Sequence, residues 1–144
     1  LRIEKGYRHW GHDIGDTDTP FEAGLGYAVR LDKPSFLGKE ILERQKTEGV
    51  HRRLLQFVLN DPAPLLYHNE PILRNGSIVG IVTSGAYGHT VGAAVGLGYV
   101  PMESLATARS LLDAEYQIDV AGSLVRATPY LRGVYDPAGI RVGG

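Results

Sequence analysis

Apolar and polar positions change period several times along this chain of 144 residues. Arg53 to Leu59 (RLLQFVL) is almost continuously apolar, which predicts a buried strand. Glu70 to Arg74 and Ser77 to Ser84 flank Asn75-Gly76. Both turn residues tolerate positive φ, so this stretch predicts a hairpin. Glu115 to Val120 and Ser123 to Ala127 repeat the arrangement around Ala121-Gly122. Val91 to Val100 is apolar and interrupted by Gly92, Gly96 and Gly98, which predicts bends at barrel corners or close backbone approach. A helical period occurs once, between Gly38 and Lys46. There Leu37, Ile41 and Leu42 form one stripe, Glu40 and Arg44 form an i,i+4 pair, and Gly49 stops the run. Met102 to Leu112 reads as a loop with one helical turn. About six short strands with no long helix between them predict an antiparallel barrel or jelly roll over His51 to Pro137. The fold class is therefore mainly β with a short helical segment.

Composition removes several function classes. The formal net charge is −1, so no bulk charge favours nucleic acid or an anionic membrane. Arg52, Arg53 and Arg74 are scattered and not interleaved with aromatics, which argues against single-stranded nucleic acid. Cysteine is absent, which excludes disulfides, thiolate metal sites and a cysteine nucleophile, and fits a reducing compartment. No apolar run approaches the roughly 18 residues a membrane span needs. No secretory signal is visible at the N-terminus.

Candidate chemistry concentrates in Leu1 to Leu25. This stretch holds Glu4, Asp13, Asp16, Asp18 and Glu22, with Arg2, Lys5, Arg8, His9, His12, Tyr7 and Trp10. It opens without an initiator methionine and in mid-motif, as expected of a piece of a longer polypeptide. Glu4 reads either as a solvated surface glutamate or as a carboxylate accepting a paired N–H edge from a planar, amidine-like group. His9 and His12 lack further ligands at metal spacing, because His51, His68 and His89 are distant, so they read as structural or surface histidines. Asp13, Asp16 and Asp18 alternate loosely like a calcium loop. Gly15 is misplaced for one and no closing glutamate follows, so they read as turn formers. Gly80 to Gly98 lacks GxxxxGK[ST] and sits in strand-like surroundings. It reads as barrel strands joined by a turn over Ser84 to Gly88. Ser84, His89 and Asp113 form no nucleophile elbow, because GxSxG is absent.

The dispersed motifs carry a likeness. Leu1 to Ile14 (LRIEKGYRHWGHDI), continuing to Thr19-Pro20-Phe21-Glu22-Ala23-Gly24-Leu25, resembles the aminomethyltransferase (glycine-cleavage T protein) family. The Lys5 to Gly11 variant looks most like the folate-binding C-terminal region of dimethylglycine and sarcosine dehydrogenases. Phe36 to Lys39, Asn75-Gly76, Gly80 to Tyr87 and Leu97 to Pro101 fit in order, so the likeness runs to about Pro137. It implies tetrahydrofolate held in a hole between three subdomains, the last a small antiparallel barrel. Residues 1–50 would be the C-terminal portion of the central, α+β folate-binding subdomain, and 51–144 the barrel domain.

By the same resemblance, Glu4 matches the glutamate that grips the pterin. Lys33 stands near a family arginine and departs from it, being a point charge without a guanidinium fork. Tyr135 matches a tyrosine lining the folate site, and Glu22 and Tyr87 are further assignments. The family's catalytic aspartate falls upstream of Leu1, as would any FAD domain, and no metal is implied. The implied whole is a flavin-dependent dimethylglycine or sarcosine dehydrogenase passing an oxidised methyl carbon to tetrahydrofolate. The alternatives are a glycine-cleavage aminomethyltransferase, another folate-dependent demethylase, or a non-catalytic folate-binding module. Its place would be the cytoplasm of a bacterium or a mitochondrial matrix. The expected partners are folate and N-terminal domains of the same polypeptide, with self-association or disorder at Leu1 to Leu25. A solvent-accessible Glu4 would contribute little to stability.

Overall fold

Six strands close on themselves in the computed structural model, which describes residues 1–103, 106–138 and 140–141. They are β1 (Arg52–Leu59), β2 (Pro71–Arg74), β3 (Ser77–Gly88), β4 (Ala93–Pro101), β5 (Tyr116–Val120) and β6 (Ser123–Tyr130). Hydrogen bonding runs β1-β4-β3-β2-β5-β6 and returns from β6 to β1, antiparallel throughout. The choice between barrel and jelly roll thus resolves to a closed barrel, which leaves no unpaired sheet edge. A 3₁₀ turn at Ala108–Asp113 supplies the expected helical turn between β4 and β5. Residues 104 and 105 of that connection lie outside the described residues. Among the described residues, no helix is long and apolar enough to cross a membrane.

Side-chain alternation sorts β1 into two layers. Leu55, Phe57 and Leu59 join Ile72, Val82, Ala94, Val100, Tyr116, Ile118 and Ala127 in the barrel interior. Phe57 and Tyr116 meet there with ring centroids 5.2 Å apart. Leu54, Val95 and Leu97 form a second cluster with Ile3 of the N-terminal segment. This outer cover is why RLLQFVL is apolar on both faces.

The N-terminal segment is fastened to the barrel by its backbone. The Leu54 N–H donates to the Glu22 carbonyl at 2.9 Å. Gln56, the one polar residue inside the apolar β1 run, donates its amide N–H to the Ile3 carbonyl and accepts from the Val134 N–H at 2.8 Å. One buried side chain thereby ties the first residues to the segment after β6. The two segments then meet without side chains between them: a Cβ at Gly133 would lie 2.3 Å from the Lys5 carbonyl oxygen.

Two expectations need correction. Ser84 to Gly88 is strand, not turn, pairing in order with Leu97, Gly96, Val95, Ala94 and Ala93. The chain reverses instead after Gly88 and before Ala93, where Gly92 has φ +80° and donates its N–H to the Gly88 carbonyl at 2.7 Å. Val91 therefore lies in the turn, and β4 begins at Ala93. Gly85 serves close approach: a Cβ there would lie 2.5 Å from the Leu66 carbonyl carbon. The helix α1 spans Lys39–Glu48, between left-handed Gly38 and Gly49, whose N–H donates to the Gln45 carbonyl at 2.9 Å. Its apolar stripe faces outward, since none of its residues is buried and Leu37 just before it is fully exposed.

Candidate functional site

Glu4 is 2 % exposed, not open to solvent. Its Oε1 accepts the backbone N–H of Thr90 at 2.7 Å and of Val91 at 3.1 Å, both in the β3–β4 turn. Those two bonds fill the lone pairs of one carboxylate oxygen. Oε2 has only the Thr90 hydroxyl at 3.5 Å and the Leu1 nitrogen at 3.8 Å. Gly88 makes the approach possible, because a Cβ there would lie 3.2 Å from Glu4 Cγ. Burial alone would raise the carboxyl pKa, but the Val91 and Thr90 N–H groups, the N-terminal charge and the Thr90 hydroxyl together hold it below the ordinary glutamate value. Glu4 is therefore an anion at neutral pH, with one buried oxygen that retains acceptor capacity.

Tyr135 stands beside it. Its backbone N–H donates to the Glu4 carbonyl at 3.0 Å. Its ring is bracketed by Lys5 Nζ and the Arg141 guanidinium, each 5.4 Å from the centroid, and its hydroxyl accepts from Arg141 at 2.8 Å. Asp136 holds that bracket together. It pairs with Lys5 Nζ at 3.1 Å and accepts the N–H groups of Ile140 at 2.9 Å and Arg141 at 3.1 Å. Tyr87 also belongs to this end of the barrel, with its ring edge-on to His89 at 5.2 Å. It pairs with Ala94, whose side chain joins the interior cluster, and so lies on the opposite strand face from Gly88 and Glu4.

The other two candidates lie apart from that pair. Glu22 closes a capping box with Thr19, accepting its N–H at 2.9 Å and its hydroxyl at 3.0 Å. Its other oxygen accepts from Arg52 Nε at 3.2 Å, while Arg52 Nη2 donates to Asp18 at 2.8 Å. This network seats the segment on β1. Lys33 is exposed, and its carbonyl accepts from Lys39 Nζ at 2.7 Å. It lines a surface hollow of about 640 Å³ with Val29, Phe36, Leu37 and Ile41, which Glu4 does not line.

Glu22 also sets a pH dependence. Burial would raise its pKa, but the Thr19 N–H and Arg52 lower it below the ordinary value of 4.5. A carboxyl depressed in the folded state contributes stability that is complete above 4.5 and lost as pH falls through its folded value. Thermal unfolding of the chain between pH 7 and pH 3 should therefore show a falling midpoint below about 4.5. Glu22→Gln should start lower at neutral pH and fall less steeply. Parallel pH curves for the two proteins would remove Glu22 from that role.

Several contributors were not singled out by the sequence. Gln56 had a visible signal, being a lone polar residue in an apolar strand. Asp13, read as a turn former, is 1 % exposed and collects the His9 N–H at 2.8 Å, Arg2 at 3.1 Å and the Thr83 hydroxyl. The Thr90 and Val91 donors are backbone groups, to which residue identity gives no clue. His9 and His12 stack ring on ring at 4.5 Å, and among the described residues no group of three or more acidic or histidine side chains is placed to hold a metal.

A closed six-stranded barrel with such an N-terminal wrap can be compared with known proteins. Residues 52–136 match the glycine cleavage T-protein C-terminal barrel domain, and residues 1–33 match the GCVT N-terminal domain. The chain belongs to the glycine cleavage T-protein family. Over its whole length it is 40 % identical to 4-methylaminobutanoate oxidase (formaldehyde-forming) of Paenarthrobacter nicotinovorans and 36 % identical to the mitochondrial sarcosine dehydrogenase of Homo sapiens. It spans 17 % and 16 % of those proteins, respectively. It is 38 % identical, over 88 % of its length, to the aminomethyltransferase of Halothermothrix orenii, of which it spans 35 %. The crystal structure of glycine cleavage system aminomethyltransferase T from Bartonella henselae shares the fold, with TM-score 0.74 and 24 % identity over 89 % of this chain and 35 % of that one.

Proposed function

We propose that this chain is the tetrahydrofolate-binding portion of a one-carbon enzyme, and that the whole oxidises an N-methylated glycine such as sarcosine or dimethylglycine. The observation that carries this reading is the buried, ionised Glu4, with Oε1 filled by protein N–H groups and Oε2 held only by the Thr90 hydroxyl at 3.5 Å and the Leu1 nitrogen at 3.8 Å among the described residues. An N–H on the pterin edge suits that oxygen. The fit is to a single oxygen and not to the two-oxygen fork that residue type suggested. Tyr135, positioned by Arg141 and Lys5, would form an adjoining wall, with Tyr87 nearby; Lys33 and Glu22 would act at the periphery. Bound tetrahydrofolate would supply a nucleophilic nitrogen for the carbon, and FAD in an upstream domain would supply the oxidation. What this chain contributes is binding and orientation. Residues 1–50 and 51–144 would be parts of two subdomains of that whole, placed in a bacterial cytoplasm or a mitochondrial matrix.

The complete protein should oxidise sarcosine or dimethylglycine with an artificial electron acceptor. Saturating tetrahydrofolate should suppress most of the free formaldehyde. Oxidation with formaldehyde release indifferent to folate would contradict the role of this chain. A second reading has its own support. The mitochondrial pyruvate dehydrogenase phosphatase regulatory subunit of Mus musculus is 39 % identical over 88 % of this chain. Likeness to a regulatory subunit supports a non-catalytic module, for which the same assay would give no oxidation at all.

A further inference from the structure

A hollow of about 500 Å³ opens beside the Lys5–Asp136 pair, lined by Lys5, Tyr7, Arg8, Tyr27, Arg132 and Asp136 among others. Lys5 and Asp136 neutralise each other at 3.1 Å. Arg8 and Arg132 remain, and among the described residues neither forms an ion pair with a carboxylate. Arg8 donates only to carbonyls, of Ala23 at 2.7 and 3.0 Å, Gly6 at 2.8 Å and Gly24 at 3.5 Å. Arg53 stands behind it in the same condition, donating to the Phe21 carbonyl at 2.6 Å and leaving a buried Nε without a partner. Nη2 atoms of both guanidinium groups come within 3.2 Å of the point a Gly24 Cβ would occupy.

Two guanidinium groups crowded at one glycine, plus a third at the rim, give this wall an excess of positive charge in a chain whose net charge is −1. Carbonyl dipoles satisfy N–H donors without cancelling that charge. Burial lowers the pKa of both Arg8 and Arg53; the Asp13 charge acts against that at Arg8, and the charge of Arg8 lowers the pKa of Arg53 further. Both remain protonated at neutral pH. The Nε–Nη2 edge of Arg8 is occupied by the Ala23 carbonyl, so Arg8 offers charge and a remaining Nη1–H, while the guanidinium fork of exposed Arg132 matches the paired oxygens of a carboxylate or phosphate. The rings of Tyr7 and Tyr27, the latter 83 % exposed, offer apolar faces at the rim.

We propose that this hollow is an oxyanion site, taking a carboxylate or phosphate group between Arg8 and Arg132 with the rest of its carrier against Tyr27. Its polarity is opposite to that of Glu4, which takes donors, so the two are separate subsites. The test titrates the isotopically labelled chain at low salt, in separate arms, with inorganic phosphate and with glutarate, following the Gly24 and Gly133 amides. Saturable shifts with glutarate identify a carboxylate site, and saturable shifts with phosphate identify a phosphate site. Either supports the proposal provided Arg132→Gln weakens binding by roughly tenfold, the loss of one charge-assisted bond. Arg132 is exposed, so this variant should fold even where Arg8→Gln does not. Arg126→Gln, which removes an exposed arginine paired with Glu115, is the control and should bind as the parent does. No saturable response to either anion would overturn the site, as would Arg132→Gln binding as tightly as the parent or Arg126→Gln losing as much affinity.

Discussion

Glu4→Ala should lower the stability of the chain and, in the complete protein, weaken tetrahydrofolate binding by at least roughly tenfold. The two losses have different origins. Truncation removes the acceptor that Glu4, itself 2 % exposed, gives the N–H groups of exposed Thr90 and half-buried Val91. An unsatisfied buried donor costs about 1–3 kcal/mol. With these donors part-exposed, a destabilisation of about 1 kcal/mol in urea unfolding is expected. The sequence alone suggested little effect, on the condition that Glu4 was open to solvent, and the buried geometry removes that condition. The binding loss comes from Oε2, where a charge-assisted bond to a ligand N–H is worth about 1.5–3 kcal/mol. An unfolding midpoint equal to that of the parent would show that the turn N–H groups find water or another acceptor.

Gly85→Ala should be among the most damaging single-methyl additions in the barrel, at about 3 kcal/mol. The new Cβ would lie 2.5 Å from the Leu66 carbonyl carbon and 2.7 Å from its oxygen. Those are backbone atoms that cannot swing aside, and Leu66 itself is 1 % exposed within the interior cluster. Gly92→Ala provides the contrast. Gly92 has φ +80° but nothing within 4 Å of its Cβ position, so only the left-handed backbone is strained, at about 1–2 kcal/mol. Equal losses for the two variants would mean that the Leu66 backbone shifts to admit the new methyl group.

That glycine also shows where the sequence stops being informative. Six strands, both hairpin turns and the helix were legible because each rests on local pattern: alternation, Asn-Gly chemistry and a period near 3.6. Ser84 to Gly88 misled because a glycine required for close approach to Leu66 looks the same, in sequence, as one required for a turn. The helix was legible, but what its stripe faces was not, since amphipathicity shows that a face is apolar without naming what lies against it. Glu4 and Tyr135 were nominated as site residues by likeness to a family, and their contact across the chain was not legible. It depends on Gln56 clamping Ile3 and Val134, on Gly133 admitting the Lys5 backbone, and on two amides of a turn that was itself misplaced. Glu22 was nominated by the same likeness, while its Thr19-x-x-Glu22 spacing, a capping box, was a local structural signal also available in the sequence.

The most direct test of the folate role uses Glu4→Gln in the complete protein. The substitution keeps an Oε1 to accept from Thr90 and Val91 but removes the negative charge, and its Nε2 replaces Oε2 with a donor. Calorimetric titration with tetrahydrofolate should show affinity reduced by at least roughly tenfold, with the protein still folded. Tetrahydrofolate binding to Glu4→Gln with the affinity of the parent protein would contradict the assignment of Glu4 as the pterin acceptor.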